Sequence, residues 1–416
     1  MRRKCTETLL RWKKNLHRKP LILQGIRQSG KTWLLRDFGT RQYKNTIYIN
    51  LETDRSVRDY LSVPRQPQDV LLFLETYCET PLYPEDSLLI LDNLQCVPGI
   101  STLLLSISLY HPQYHITAIE RGFLGKYDEN DFEVVKLYPL DFEEFLWANS
   151  EFGLSKEIRA HYSARLPMGK ELHAKALSQF QLYLVIGGMP LSILEYRKEK
   201  KLLMVPDVQQ KILDLFLADI AARASEGTAH HIRKCWLSIP SQLGRSGSKF
   251  QYGQVSQNGT ARLYQKPIRW LTDMGYACLC PMYKAVSEKT SSFHLYFPDT
   301  GLCTRQLSIP AYVLLTGEET PATRACVENF LAQQFNQNGF SLSCWSSQNQ
   351  AEVPFVLQKN NECIAVDYRL TPRLRKRSLS RMKDLFPADH MFLISTEDFR
   401  TKESYDIIPF YATFCI

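Results

Sequence analysis

Gly25, Gly30, Lys31 and Thr32 stand in the order G-x-x-x-x-G-K-T, with Ile26, Arg27, Gln28 and Ser29 between the glycines. An apolar run, Leu21-Ile22-Leu23, leads into this stretch, and Trp33-Leu34-Leu35-Arg36-Asp37 follows with the start of a helical pattern. Strand, glycine-bounded loop and helix are the surroundings in which these residue types cradle phosphates. Gly25 would let the chain turn tightly, and Gly30 would let backbone N–H groups close on an anion without a side chain intervening. Lys31 supplies a point charge for β- and γ-phosphates, Thr32 a hydroxyl for Mg²⁺, and the helix aims its N-terminus at the anion. The expected ligand is a nucleoside triphosphate, written here as ATP, contacted by Gly25, Arg27, Gln28, Ser29, Gly30, Lys31, Thr32 and Trp33. The loop reads phosphates and not the base.

A second run, Ser87-Leu88-Leu89-Ile90-Leu91-Asp92-Asn93, has four consecutive aliphatics ending in an acid. That is the pattern of a central parallel strand carrying its carboxylate to the C-terminal edge, beside the phosphates. Asp92 is therefore the expected second holder of Mg²⁺, with Thr32. Residues 46–52 read as another strand ending in Glu52, residues 68–79 as a helix, and 115–119 and 134–137 as further strands. Alternating strands and helices predict a doubly wound parallel α/β domain over roughly residues 20–150.

The 416 residues exceed one core and predict several domains. Hydrophobic residues make up 44% and charged residues 23%, as in ordinary globular proteins, and no apolar run approaches a membrane span. The basic N-terminus lacks the apolar stretch of a signal peptide, so a cytoplasmic protein is expected. Eleven cysteines include no C-x-x-C pair, and Cys278 with Cys280 has no matching second pair, so packed, reduced thiols are expected. Lysine and arginine number 51 against 43 acids, a net charge of +8. Arg2, Arg3, Lys4, Arg11, Lys13, Lys14, Arg18 and Lys19 form one basic cluster; Arg369, Arg373, Arg375, Lys376, Arg377, Arg381 and Lys383 form another. Either could neutralise nucleic-acid phosphates or be a solvated face.

Residues 5–19 read as an amphipathic helix with Leu9, Leu10, Trp12 and Leu16 near one face. Residues 155–225 are helical in pattern apart from a turn at Gly187-Gly188-Met189-Pro190. Short helices over 229–274, a basic turn at 244–249 and a strand at 276–280 give the order of a winged helix, although Pro267 is expected to kink or break its last helix. From Phe293 onward a separate α/β unit is expected.

The phosphate loop, Tyr138-Pro139-Leu140-Asp141-Phe142-Glu143-Glu144-Phe145-Leu146, Tyr183-Leu184-Val185-Ile186-Gly187-Gly188-Met189-Pro190, Asp299-Thr300-Gly301-Leu302 and Glu328-Asn329-Phe330-Leu331-Ala332 lie in one order across the chain. Together they resemble a bacterial and archaeal family of AAA+-like P-loop ATPases with a C-terminal restriction-endonuclease-like domain. The resemblance implies an ATPase core (1–155), a helical lid (156–228), a winged-helix segment (229–290) and a nuclease-like domain (291–416). In relatives a Glu follows the Walker B Asp and activates water; here Asn93 stands there, and an amide can orient water but not take its proton. Glu52 could stand in. A small polar pair that senses the γ-phosphate is replaced by Glu120-Arg121, in which Glu120 would repel phosphate unless it points away. In the C-terminal domain Pro354 replaces a metal-binding Asp of the family's Ala-Glu-Val-Asp-Phe and Arg369 a lysine, leaving Asp367 and Glu328, so nuclease activity is not expected. Lys31, Asp92, Asn93 and Glu52 are the expected catalytic set of a slow or partner-stimulated ATPase acting as a switch, in a homo-oligomer or with a protein or DNA partner. The alternatives are a fully competent ATPase and a non-enzymatic DNA-binding or scaffold protein with structural nucleotide.

Overall fold

The computed structural model describes residues 1–244, 249–283, 292–346, 352–371 and 388–416. The chain divides into two compact units, residues 2–138 with 273–275, and residues 139–272 with 276–416.

The first unit runs α1 (Cys5–Lys14), β1 (Leu21–Gly25), α2 (Lys31–Gln42), β2 (Asn45–Asn50), α3 (Arg55–Leu61), α4 (Pro67–Cys78), β3 (Ser87–Asp92), α5 (Ile100–Tyr110), β4 (His115–Arg121) and β5 (Glu133–Lys136). Its sheet has the order β2-β3-β4-β1-β5 and is parallel throughout. This is the expected P-loop NTPase-like fold. The aliphatic runs are continuous because both faces are covered. Leu21, Leu23, Leu88 and Ile90 pack with Leu9 and Trp12 of α1 and Leu34, Leu35 and Phe38 of α2. Ile22, Leu89 and Leu91 pack on the other face with residues of α3, α4 and α5. The first helix ends at Lys14, before Leu16, which is 82% exposed instead of facing the core. The chain turns at Leu16 and His17 before entering β1.

The second unit contains α6 (Phe142–Ala148), α7 (Phe152–Ala164), α8 (Lys170–Ile186), α9 (Pro190–Glu199), α10 (Val205–Arg223), α11 (Glu226–Ser238), α12 (Tyr252–Val255) and α13 (Ala261–Asp273, whose last residue belongs to the first unit). It continues with β6 (Cys278–Pro281), β7 (Phe293–Tyr296), α14 (Thr300–Gln306), α15 (Ala311–Leu315), α16 (Pro321–Gln337), β8 (Ser341–Ser346), β9 (Glu352–Lys359), β10 (Glu362–Arg369), β11 (His390–Ser395), β12 (Arg400–Thr401) and β13 (Asp406–Pro409). Among the described residues β6 and β7 form an antiparallel pair, and β8 to β13 a mixed sheet of order β12-β13-β11-β10-β9-β8. Of the kink or break expected at Pro267, the break does not occur, since α13 runs through it. Pro267 lies on the buried face with Tyr264, Ile268 and Leu271, where packing offsets the lost backbone hydrogen bond.

Three stretches that carried the family resemblance meet, with Gln333 just past a fourth, in a buried polar node of this unit. Asp141 caps α6 in a reciprocal box with Glu144. Leu140 O accepts from Tyr183 Oη (2.7 Å), whose oxygen accepts from Gln333 Nε2 (2.9 Å). Asp299 accepts from the Gly188 and Leu302 amides (2.6 and 3.1 Å). A Cβ at Gly188 would come 2.0 Å from Leu140 O, so only glycine fits there. These residues hold the unit together.

Candidate nucleotide-binding site

The phosphate loop leaves β1 at Gly25, and the reason for that glycine is close approach. A Cβ there would lie 2.2 Å from the Leu137 carbonyl oxygen, while the left-handed backbone falls on Gln28 (φ 65°) and Gly30 (φ 93°). Gly30 then caps the N-terminus of α2. Ser29 is fully buried and its hydroxyl donates to Ile26 O (3.0 Å). The Lys31 ammonium donates to the carbonyls of Gly25 and Ile26 (2.7 Å each), so the lysine lies over the concave side of the loop. Arg27 and Gln28 flank the loop partly exposed, and Trp33 is 51% exposed on the first turn of α2.

Arg3 has a structural role that charge counting missed. It is buried and its guanidinium donates to Ser29 O (3.1 Å) and Tyr138 O (2.6 Å), bracing the loop from behind. Arg18, also buried, pairs with Glu85 (3.0 Å), and Lys13 donates to Gln42 O. The N-terminal cluster is thus partly committed to internal contacts, which narrows the surface available to nucleic acid. Of the second cluster only Arg369 lies within the described residues.

Strand β3 ends at Asp92, whose Oδ2 accepts from Thr32 Oγ1 (2.7 Å) and from Tyr48 Oη (2.9 Å). The sequence assigned both Thr32 and Asp92 to Mg²⁺, and the structure brings the two side chains together. Tyr48 was not anticipated, since nothing local marks a strand tyrosine as a partner of a carboxylate one strand away. Burial and the Asp92 charge hold the Tyr48 hydroxyl well above the usual tyrosine range, so it stays a donor. One hydroxyl and one carboxylate are hard oxygen ligands suited to Mg²⁺, which keeps waters and takes further oxygens from phosphates. Among the described residues no cluster of three or more His, Cys, Asp or Glu could hold a metal ion.

Beyond Asp92 the chain takes a left-handed conformation at Asn93 (φ 64°). Asn93 Nδ2 donates to Asn50 Oδ1 (2.9 Å), and its Oδ1 accepts from Arg121 (2.8 Å) and Gln95 (3.2 Å). The same guanidinium nitrogen pairs with Glu52 Oε2 (2.8 Å). Asn93, Glu52 and Arg121 therefore form one polar cluster, with Glu52 in an ion pair. Glu120 does point away, as phosphate binding would require. Its carboxylate accepts from Gln24 (2.6 Å) and Tyr127 on the sheet face opposite Arg121, where burial pushes its pKa up. In the second unit Glu328 accepts from Tyr296 (3.0 Å), Tyr368 (3.2 Å) and the Gly244 amide (3.2 Å), and Asp367 accepts from the Tyr368 amide (2.8 Å). Three donors hold the Glu328 carboxylate.

Residues 17–146 match a family described as an AAA domain, and residues 177–312 match a domain of unknown function (DUF8612). No curated protein matches the chain. Similar solved structures include the Walker-type ATPase PABY2304 of Pyrococcus abyssi, at 14% identity, TM-score 0.44, 73% of this chain and 95% of that one. A chain in a structure of Drosophila ORC bound to AT-rich DNA and Cdc6 is 12% identical (TM-score 0.23; 73% and 89% covered). Protein VC1899 from Vibrio cholerae is 8% identical (TM-score 0.18; 96% of each covered). With TM-scores this low, these likenesses carry no functional conclusion. The AAA-domain match coincides with the parallel sheet and its phosphate loop, so residues 17–146 have the P-loop NTPase-like fold.

Proposed function

We propose that the protein binds Mg·ATP at residues 25–33 and 92 and works as a nucleotide-dependent switch with slow or partner-stimulated hydrolysis. The observation that carries this reading is the 2.7 Å contact between Thr32 and Asp92, next to Lys31 and the α2 N-terminus. Lys31 charges the phosphate side of the site, and Thr32 and Asp92 hold Mg²⁺, which screens the phosphates and polarises the γ-phosphoryl group when bound. Hydrolysis is slow because Asn93 can orient a water but not accept its proton, and Glu52, the nearest alternative base, is paired with Arg121.

The switch reading extends to the rest of the chain. Helices α6–α10 suit a lid. Helices α11–α13 followed by the β6–β7 pair support a winged-helix segment, and the mixed sheet supports a nuclease-like domain without its metal ligands. DNA is one possible target and a second copy or another protein another. No single helix among the described residues is long and apolar enough to cross a membrane. The test combines phosphate release with limited proteolysis and DNA affinity in ATP, ADP and no nucleotide. A switch gives ATP-dependent protection or DNA affinity with little release. Identical digestion and DNA affinity in all three states would leave nucleotide a structural part, and brisk release would make the protein a competent ATPase.

A further inference from the structure

The last residue of α13, Asp273, and the two that follow, Met274 and Gly275, belong to the first unit, while the chain on either side of them belongs to the second. Their seat is the start of the phosphate loop. Gly122, next after Arg121, exchanges two backbone hydrogen bonds with Gly25 (3.1 and 2.9 Å), and the Phe123 amide donates to Asp273 O (2.7 Å). A Cβ on Gly122 would come 3.0 Å from Met274 Cα. A Cβ on Gly275 would meet the Phe123 ring at 2.5 Å and Ile26 Cγ2 at 2.7 Å, so glycine lets the turn sit directly on the loop. Met274 and Ile26 are both buried. The flanks of the turn are fixed in the second unit. The Tyr276 and Ala277 amides donate to Leu271 O (2.8 and 3.2 Å), closing the end of α13 around Gly275 in its left-handed conformation (φ 73°). Tyr276 is fully buried. Its hydroxyl donates to Asp219 Oδ2 of α10 (2.7 Å), its carbonyl accepts from Trp236 Nε1 of α11 (3.0 Å), and its ring stacks on Phe216 of α10 at 4.6 Å. Asp219 is also paired with Arg223 (3.0 Å), so the carboxylate that holds Tyr276 is itself held.

We propose that residues 271–277 are a strap that couples the phosphate loop to α10 and α11, so that loop and turn open and close as one element. The identity of the ligand rests on the Mg·ATP reading; the coupling itself does not. The Lys31 ammonium donates to Gly25 O and Ile26 O, and the phosphate oxygens of a bound nucleotide compete for it. Gly25 carries that change to Gly122 through their paired hydrogen bonds, and Ile26 carries it to Gly275 through close packing. The six-residue closure from Leu271 to Tyr276 then passes it on as a unit, because the turn cannot shift at Gly275 without shifting the backbone of Tyr276. Packed elements of this kind move between discrete arrangements instead of deforming smoothly. Coupling is reciprocal, so disturbing Tyr276 in the second unit loosens the phosphate loop in the first.

The test is amide hydrogen exchange of the full-length protein, read by mass spectrometry on peptides covering residues 21–28, 119–125 and 271–279, with 45–50 as reference. Without nucleotide, Tyr276→Phe should speed exchange about fivefold in the first three peptides alike, the factor for one ordinary hydrogen bond, and leave 45–50 unchanged. In the unmodified chain, Mg·ATP at about ten times its dissociation constant should slow exchange about tenfold in 21–28 and in 271–279 together. Phe123→Ala removes the ring between loop and turn; it should keep the slowing at 21–28 and reduce that at 271–279 to under about twofold. A folded Tyr276→Phe chain that leaves 21–28 and 119–125 unchanged, or that speeds 45–50 as much as the rest, overturns the proposal. So does Mg·ATP protection confined to 21–28 in the unmodified chain. Absence of protection in every peptide would contradict the Mg·ATP reading alone, and the nucleotide-free comparison would still decide the strap.

Discussion

Replacing Asn93 by Glu tests why the site should turn over slowly, and the surrounding contacts set the size of the effect. A positioned general base contributes about 10²–10⁴-fold. Asn93→Glu alone will not recover all of it. The new carboxylate would fall beside the Arg121 nitrogen now 2.8 Å from Asn93 Oδ1, and a guanidinium at that range lowers a carboxyl pKa by about 1–3 units. It would also face Asn50 Oδ1, which is fixed by accepting from the Glu52 amide (3.0 Å); turning that amide over loses a hydrogen bond worth about 1 kcal/mol. The single variant is therefore expected to gain about tenfold in phosphate release at saturating Mg·ATP. Asn93→Glu with Arg121→Ser should gain about 10²-fold or more, with a rate that rises with pH through the carboxylate range. Brisk release by the unmodified chain, or a double variant that binds Mg·ATP and turns over no faster than it, would refute the assignment of Asn93 as the missing base.

Asp92→Asn should leave nucleotide binding without Mg²⁺ little changed and remove most of the Mg²⁺-dependent gain in affinity, read by titrating Mg²⁺ at fixed ATP. Tyr48→Phe removes one donor to Asp92 and should cost about 1 kcal/mol in urea unfolding of the apoprotein, with the cost falling as Mg·ATP is added. Gly25→Ala places a methyl group against the Leu137 carbonyl and should destabilise the ATPase-type unit by about 3 kcal/mol or abolish soluble expression. His115, buried with Tyr43 and Arg18, has its pKa lowered from 6.5 to about 4 by burial first and by Arg18 next. Its folded pKa is depressed, so the unfolded chain binds more protons between those values and stability falls as pH drops from about 6.5 to about 4. The loss is on the order of 3 kcal/mol, and His115→Phe should flatten that part of the urea-midpoint profile.

The parallel sheet was legible because strands buried on both faces have to be continuously apolar, and the loop because phosphate binding fixes glycine and lysine spacing. Asp92 was legible for the same reason. The Arg121–Glu52–Asn93 cluster was not, since it depends on three strand ends meeting across the sheet, and register is a non-local property. Arg3 and Arg18 read as surface charge because nothing near them in the chain reveals that they turn inward. Gly25 was predicted for the wrong physical reason, as a turn and not as a point of backbone contact. The Gly187-Gly188 and Asp299 stretches read only as a turn and a family signature; their meaning is a buried carboxylate satisfied by the Leu302 amide nearby and the Gly188 amide over a hundred residues away.

The most direct test of the central claim is calorimetric titration of Mg·ATP into the unmodified protein and into Lys31→Ala. The account predicts saturable one-site binding that needs Mg²⁺, weakened about 100-fold in Lys31→Ala, the loss expected for a strong charge-assisted contact. No heat of binding to the unmodified chain, or equal affinity in the variant, would contradict it.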